Sequence, residues 1–264
     1  MNFTDYLSDG FDRLGDLLPL ALVPFFATFL HIDDIRKTVN LTGGHMGVKF
    51  QFPTALPTYW TFTSVPNSTV TGVHISPTMY FAPIYVVVTS VLMAGFLGSI
   101  RESIETGRYD FAYNARTYFL PFLGYSVLVW VAFFASFALG VAFGPLLIVA
   151  LLALFVLSFV FYGAPFVIVV DDRSLVEALR GSYELAAVDS DYAAFGGGYF
   201  VFVLVASLVG TLLINLGISG IVIGAVLSAP VSLALTVATV EFFIDLGWPG
   251  SDPVERPPTE RSDY

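Results

Sequence analysis

Ionisable side chains are rare inside the long apolar runs of this chain, so each one found there is a candidate for function. Glu241 is the foremost. Asp245 follows four residues later, one turn on along the same helical face. Two carboxylates so placed could carry a proton or an ion. They could equally form structural pairs with an arginine, and Arg101, Arg116 and Arg180 are the partners within reach of that side. Asp16, beside the first apolar run, has the same two readings.

Other chemistry has little material. His31, His45 and His74, with Asp33 and Asp34 after the first, could ligate zinc, but their spacing matches no ligand pattern. Cysteine is absent, which excludes thiol catalysis and disulfides. Ser90, Ser126, Ser136 and Ser158 lie in apolar runs without a His or Lys beside them, so intramembrane serine chemistry has no base. No catalytic, cofactor-binding or metal-ligating residue is assigned. Gly197, Gly210, Gly220 and Gly224 form a series of small residues, and Gly220-x-x-x-Gly224 suits close helix approach. Packing is one reading; a lipid or substrate groove is the other.

The elements that must position these residues are membrane helices. From Thr117 to Val170 there is no Asp, Glu, Lys, Arg or His, and from Tyr192 to Val240 there is none again. One crossing takes about 20 apolar residues, so each run holds two. Hydrophobic residues make up 56% of the chain and charged ones 12%. Soluble domains carry roughly 25% charge, so a soluble fold is excluded. Six spans are expected, at about 14–32, 79–100, 119–139, 145–169, 194–215 and 221–243, within a membrane domain over 1–246. Pro19 and Pro24 lie in the first span and Pro230 in the last.

Three amphipathic helices are expected at the interface, over 3–15, about 101–115 and 173–188. Ser174 and Glu177 give the last one a capping box. Each helix would precede a pair of spans, so the chain reads as three hairpin units, either an internal duplication or a recurrence of hairpin physics. The segment 33–78 is polar, with Val48, Phe50 and Phe52, and then Trp60 and Phe62, alternating with polar neighbours. That period of two predicts a small strand-rich insertion; a flexible loop is the alternative. The fold class is therefore an all-α membrane protein with six transmembrane helices in three hairpins and a small strand-rich extracellular segment. The Pro- and acid-rich stretch 247–264 is expected to be a disordered cytoplasmic tail. The acidic amino-terminal stretch lacks a basic n-region and is expected to stay in the mature protein.

Arg13, Arg101, Arg108, Arg116, Arg173, Arg180, Arg256 and Arg261 would share one side, and Arg36, Lys37 and Lys49 the other. The positive-inside rule then puts both termini in the cytoplasm and 33–78 outside the cell. The net charge of -10, with lysine only at Lys37 and Lys49, resembles the composition of salt-adapted haloarchaeal proteins. It gives no basic surface for nucleic acid.

The run from Val169-Val170-Asp171-Asp172-Arg173 to Gly181-Ser182-Tyr183 resembles an interfacial helix of uncharacterised six-span prokaryotic membrane proteins, including haloarchaeal ones. These are related to the membrane domain of glycerophosphodiester phosphodiesterases. Gly107-Arg108-Tyr109 to Phe119 resembles their earlier element. The resemblance implies a membrane module without the phosphodiesterase catalytic domain and without known catalytic residues. The long segment 33–78 departs from the short link usual there. The functions expected are a non-enzymatic scaffold or accessory subunit that binds lipid, a membrane protein or a second copy, or else a small permease for an apolar or lipid-like solute. A solvent-connected cavity halfway through the bundle with convergent polar groups would favour the permease.

Overall fold

The structure, a computed structural model, describes residues 1–65, 77–144 and 146–247. Among these, five helices are long and apolar enough to cross a membrane, and six crossings result if one bent pair counts as a span. The protein is a mostly helical, multi-pass membrane protein.

Helix α1 (Phe3–Asp12) opens where the Asp5 carboxylate accepts the Asn2 amide at 2.8 Å. It packs on the far end of the last helix. Gly10 allows this: a Cβ there would meet the Ala234 carbonyl at 2.4 Å. The chain then rises through α2 (Leu14–Leu17), a 3-10 turn (Leu18–Ala21) and α3 (Leu22–Thr28). After Thr28 it bends by 66° into α4 (Ile32–Val39). The unbroken helix expected over 14–32 is thus a broken one. Pro19 sits at the start of the 3-10 turn, where its missing N–H is tolerated, and Pro24 lies in the first turn of α3.

A short α5 (Pro77–Tyr80) leads into α6 (Ala82–Thr106). Gly107, at φ 73°, ends α6 in the left-handed conformation that glycine adopts without steric cost. Asp110 then caps α7 (Phe111–Ala142) by accepting the Tyr113 amide at 3.0 Å. A separate interfacial helix over 101–115 does not form. The Arg101–Glu105 pair at i,i+4 keeps α6 helical past the apolar run, so the charged residues become the ends of two long helices.

α8 (Leu146–Val160) and α9 (Ala164–Val170) make one crossing, interrupted before Pro165. α10 (Leu175–Val188) starts at the expected box: Glu177 accepts from the Ser174 amide at 3.0 Å and hydroxyl at 2.7 Å. α11 (Ser190–Leu213) is capped by Asp189 and runs into a 3-10 turn, Ile214–Leu216. Gly217 turns the chain into α12 (Ile218–Leu246). α12 is the central helix, buried along most of its second half. α7 and α8 line the periphery and expose Leu, Val and Phe along their lengths, as lipid-facing helices do.

The expected strands are absent: no strand occurs among the described residues. Residues 66–76 of the expected strand-rich segment, His74 among them, lie outside the described residues, as does the tail from 248 onward. The segment 40–65 is extended without a partner strand, apart from one 3-10 turn at Tyr59–Phe62. It does not cap the bundle but enters it. Tyr59 and Trp60 are 1% and 2% exposed. Phe52 packs on Phe159, Tyr162 and Phe200, about halfway along α11. Irregular backbone at that depth must find its hydrogen bonds within the protein. One face of α11 and the 3-10 turn that continues it supplies them. Ser207, Thr211 and Asn215, spaced by four, accept the amides of Lys49 at 2.9 Å, Ser64 at 2.9 Å and His45 at 2.6 Å. A polar helix stripe stands in for the neighbouring strand.

The alternation that suggested strands has another cause. Extended backbone sends successive side chains to opposite sides whether or not it is paired. Phe50 and Phe52 meet Phe155 and Phe200 on α8 and α11. Lys49 and Gln51 face the other way, into a cavity.

Candidate functional site

That cavity is the candidate site. It has a volume of about 760 Å³ and lies between the α3–α4 break, the inserted segment, α6 and α7. On α6 its lining runs from Tyr85 to Met93, and on α7 from Phe133 to Tyr125, which brings it to the middle of both helices. Behind it the Ser90 hydroxyl lies 2.9 Å from the Ser126 hydroxyl and ties α6 to α7. One turn deeper, Leu97, Ile100 and Phe122 are fully buried, so the chamber is closed towards the arginine-rich end.

Its walls divide by chemistry. Met93, Val129, Trp130 and Phe133 make an apolar wall. At the mouth, Asp34 Oδ2 lies 3.5 Å from His31 Nδ1, and Asp34 Oδ1 lies 3.5 Å from Lys37 Nζ. The break after Thr28 places this group, because it turns α4 across the end of the bundle. Lys49 reaches in from the inserted segment, its Nζ donating to the Trp60 carbonyl at 2.5 Å. The Trp60 indole N–H donates in turn to the Thr28 carbonyl at 2.7 Å, one of the carbonyls freed at the end of α3. The His31 and Tyr85 rings, and the Tyr85 and Trp130 rings, meet edge to face. The arrangement can hold a molecule with one polar and one apolar end. Among the described residues no group of three His, Cys, Asp or Glu could hold a metal, and no nucleophile–base pair lines the chamber.

The residues singled out in the sequence lie elsewhere. Glu241 pairs with Arg13, Oε1 to Nε 2.5 Å, and not with Arg101, Arg116 or Arg180. Asp245 accepts the Tyr6 hydroxyl at 3.1 Å. Both acids therefore hold α1 to the end of α12. Arg101 pairs with Glu105 at 2.8 Å and Asp172 at 3.5 Å, and the Tyr118 hydroxyl also donates to Asp172. Arg180 pairs with Glu184 at 2.9 Å on α10. Asp16 and Arg116 are exposed. A second cavity, about 770 Å³, opens at this end between α1, Asp189, Asp191 and Asp245.

The glycines divide as well. A Cβ on Gly210 would lie 2.0 Å from the Phe62 carbonyl, and one on Gly224 2.3 Å from the Tyr59 ring. The Tyr59 hydroxyl donates to the Gly210 carbonyl at 2.8 Å. These two make room for the inserted segment between α11 and α12. Gly220 packs on the Leu213 carbonyl inside its own turn, and Gly197 is exposed with open space around it.

Sequence reasoning missed Lys49, Trp60 and the role of Ser207, Thr211 and Asn215. The signal was there. A hydroxyl–hydroxyl–amide stripe at i, i+4, i+8 in a membrane helix needs something to bond, and the nearby segment Tyr59-Trp60-Thr61-Phe62 is too aromatic for a wet cap. No family model, curated protein or solved structure matches this chain.

Proposed function

We propose that this membrane protein is a small permease or carrier for an amphiphilic, lipid-like solute. The carrying observation is the chamber: it reaches the middle of α6 and α7 and is lined by a polar mouth and an apolar wall. A broken helix and inserted non-helical backbone border it, and in membrane proteins such backbone is found where it is buried or lines a cavity. A charge-poor bundle without a cavity would suit a scaffold that binds a membrane protein; the chamber is what a scaffold does not need. The mouth would face the cell exterior, with both termini in the cytoplasm.

Reconstitution tests this. The protein is placed in liposomes, and movement of a fluorescent single-chain amphiphile between leaflets is followed by quenching from one side. Wild type should move the probe well above protein-free liposomes. Met93→Trp, which fills the chamber at its deep end, should cut the rate at least about tenfold while the variant still elutes as a folded particle. No movement with wild type, or movement that the plug leaves untouched, overturns the reading. A stoichiometric protein partner that co-purifies with an inert chamber would return the scaffold in its place.

A further inference from the structure

We infer that the chamber selects an anionic amphiphile, whose carboxylate or phosphate head binds the Lys49 ammonium while its chain lies along Met93, Val129 and Phe133. This rests on the chamber being the solute site.

Charge placement carries the inference. The mouth holds two acids, Asp33 and Asp34, and two lysines, Lys37 and Lys49. The acids are accounted for. Both belong to the first turn of α4, where the helix dipole favours negative charge, and Asp34 is paired with Lys37 and His31. Lys49 differs. It forms no ion pair among the described residues, and its Nζ makes one hydrogen bond, to the Trp60 carbonyl. An ammonium has three donors, so two have no partner among the described residues. Residues 66–76 carry no Asp or Glu that could supply a counter-ion.

Position adds to this. Lys49 is pinned by its own backbone, whose amide donates to Ser207. The extended backbone then forces its side chain into the chamber, because Phe50 and Phe52 take the opposite side. Gln51, two residues on, shares the chamber side and offers an amide N–H₂. Asp34 acts on the ammonium across the mouth without touching it, and an ammonium buried with no carboxylate in contact is costly unless a ligand completes it. An anionic head would supply the missing acceptor, and the apolar wall would take the chain.

The test compares amphiphiles that share one brominated alkyl chain and differ in the head: carboxylate, phosphate, trimethylammonium and maltoside. Binding to the full chain in nanodiscs is read from quenching of Trp60 and Trp130 fluorescence. The carboxylate, the phosphate or both should bind about tenfold tighter than the maltoside. Lys49→Gln should erase that preference and leave maltoside binding as it was; Lys49→Arg should keep it. If Lys49→Gln does not fold, the head-group series on wild type and Lys49→Arg still decides. Equal binding of all four heads, or tightest binding of trimethylammonium to the aromatic walls, overturns the anionic preference and leaves the chamber reading intact. No quenching by any of the four removes the chamber reading as well.

Discussion

At the level of single residues, intramembrane charge misdirected attention. Glu241 carried two readings, a proton or ion carrier and a structural pair; it is paired, but with Arg13, which lies far away in sequence and which no spacing rule could supply. Asp245 likewise waits on Tyr6. The charge that faces the chamber, Lys49, sits in a segment polar enough to pass for a wet loop. Asp171, just past the α8–α9 crossing, shows how burial and pairing compete at a boundary. Burial raises its carboxyl above the ordinary value, and Arg173 and Arg101 oppose this without cancelling it. A raised folded-state value means the native chain holds that proton more tightly than the unfolded chain. Its stability contribution is present at low pH and lost as pH rises from 3.8 through the raised value. Asp171→Asn cannot ionise. It should raise the thermal midpoint in detergent at pH 7, and the gain should vanish below about pH 4, where the wild-type group is protonated in both states. A loss of stability at pH 7 would mean that pairing with the arginines dominates.

At the level of elements, helices were legible and their interruptions were not. The long charge-free runs and the Ser174–Glu177 box located α7 to α12, since apolar length and capping are local properties. The segment 40–65 was misread because period-two alternation reports extended backbone, not what the backbone is bonded to. Its partner is a helix stripe, and only the fold brings Ser207 opposite Lys49. The same contact separates two glycines that look alike in sequence. Gly210→Ala would drive a methyl into the Phe62 backbone carbonyl, which cannot rotate away. It should destabilise by roughly 1–3 kcal/mol and expel the segment. Gly197→Ala meets open space on a helix and should be neutral or stabilising by up to about 1 kcal/mol. Thermal midpoints in one detergent, with protease sensitivity near Tyr59 as the second readout, compare the two. Equal effects would mean that the segment does not lean on α11.

At the level of the whole molecule, parity decides the architecture. Tyr6 and Arg13 are tied to Asp245 and Glu241, so the amino-terminal helix lies at the end of the bundle where α12 finishes. His31 meets Tyr85 in the first turns of α6, at the opposite end. Leu14–Thr28 therefore carries the chain from one end to the other as short helical pieces around Pro19 and Pro24. With the bent pair counted as one span the crossings number six, and we propose from the arginine bias that α1 and the end of α12 face the cytoplasm. Because cysteine is absent, single cysteines can be added without a background. A membrane-impermeant maleimide on intact cells should label Met46→Cys, which is 79% exposed beside the Asn215 end. Thr4→Cys and Val188→Cys, both exposed, should react only after the membrane is opened. Labelling of Thr4→Cys together with Met46→Cys would make Leu14–Val39 a re-entrant hairpin and the count odd. The mouth between Asp34 and Lys49 would then still open on the Met46 side, but the amino-terminal helix could not be strapped to Glu241 in the membrane as it is in this fold.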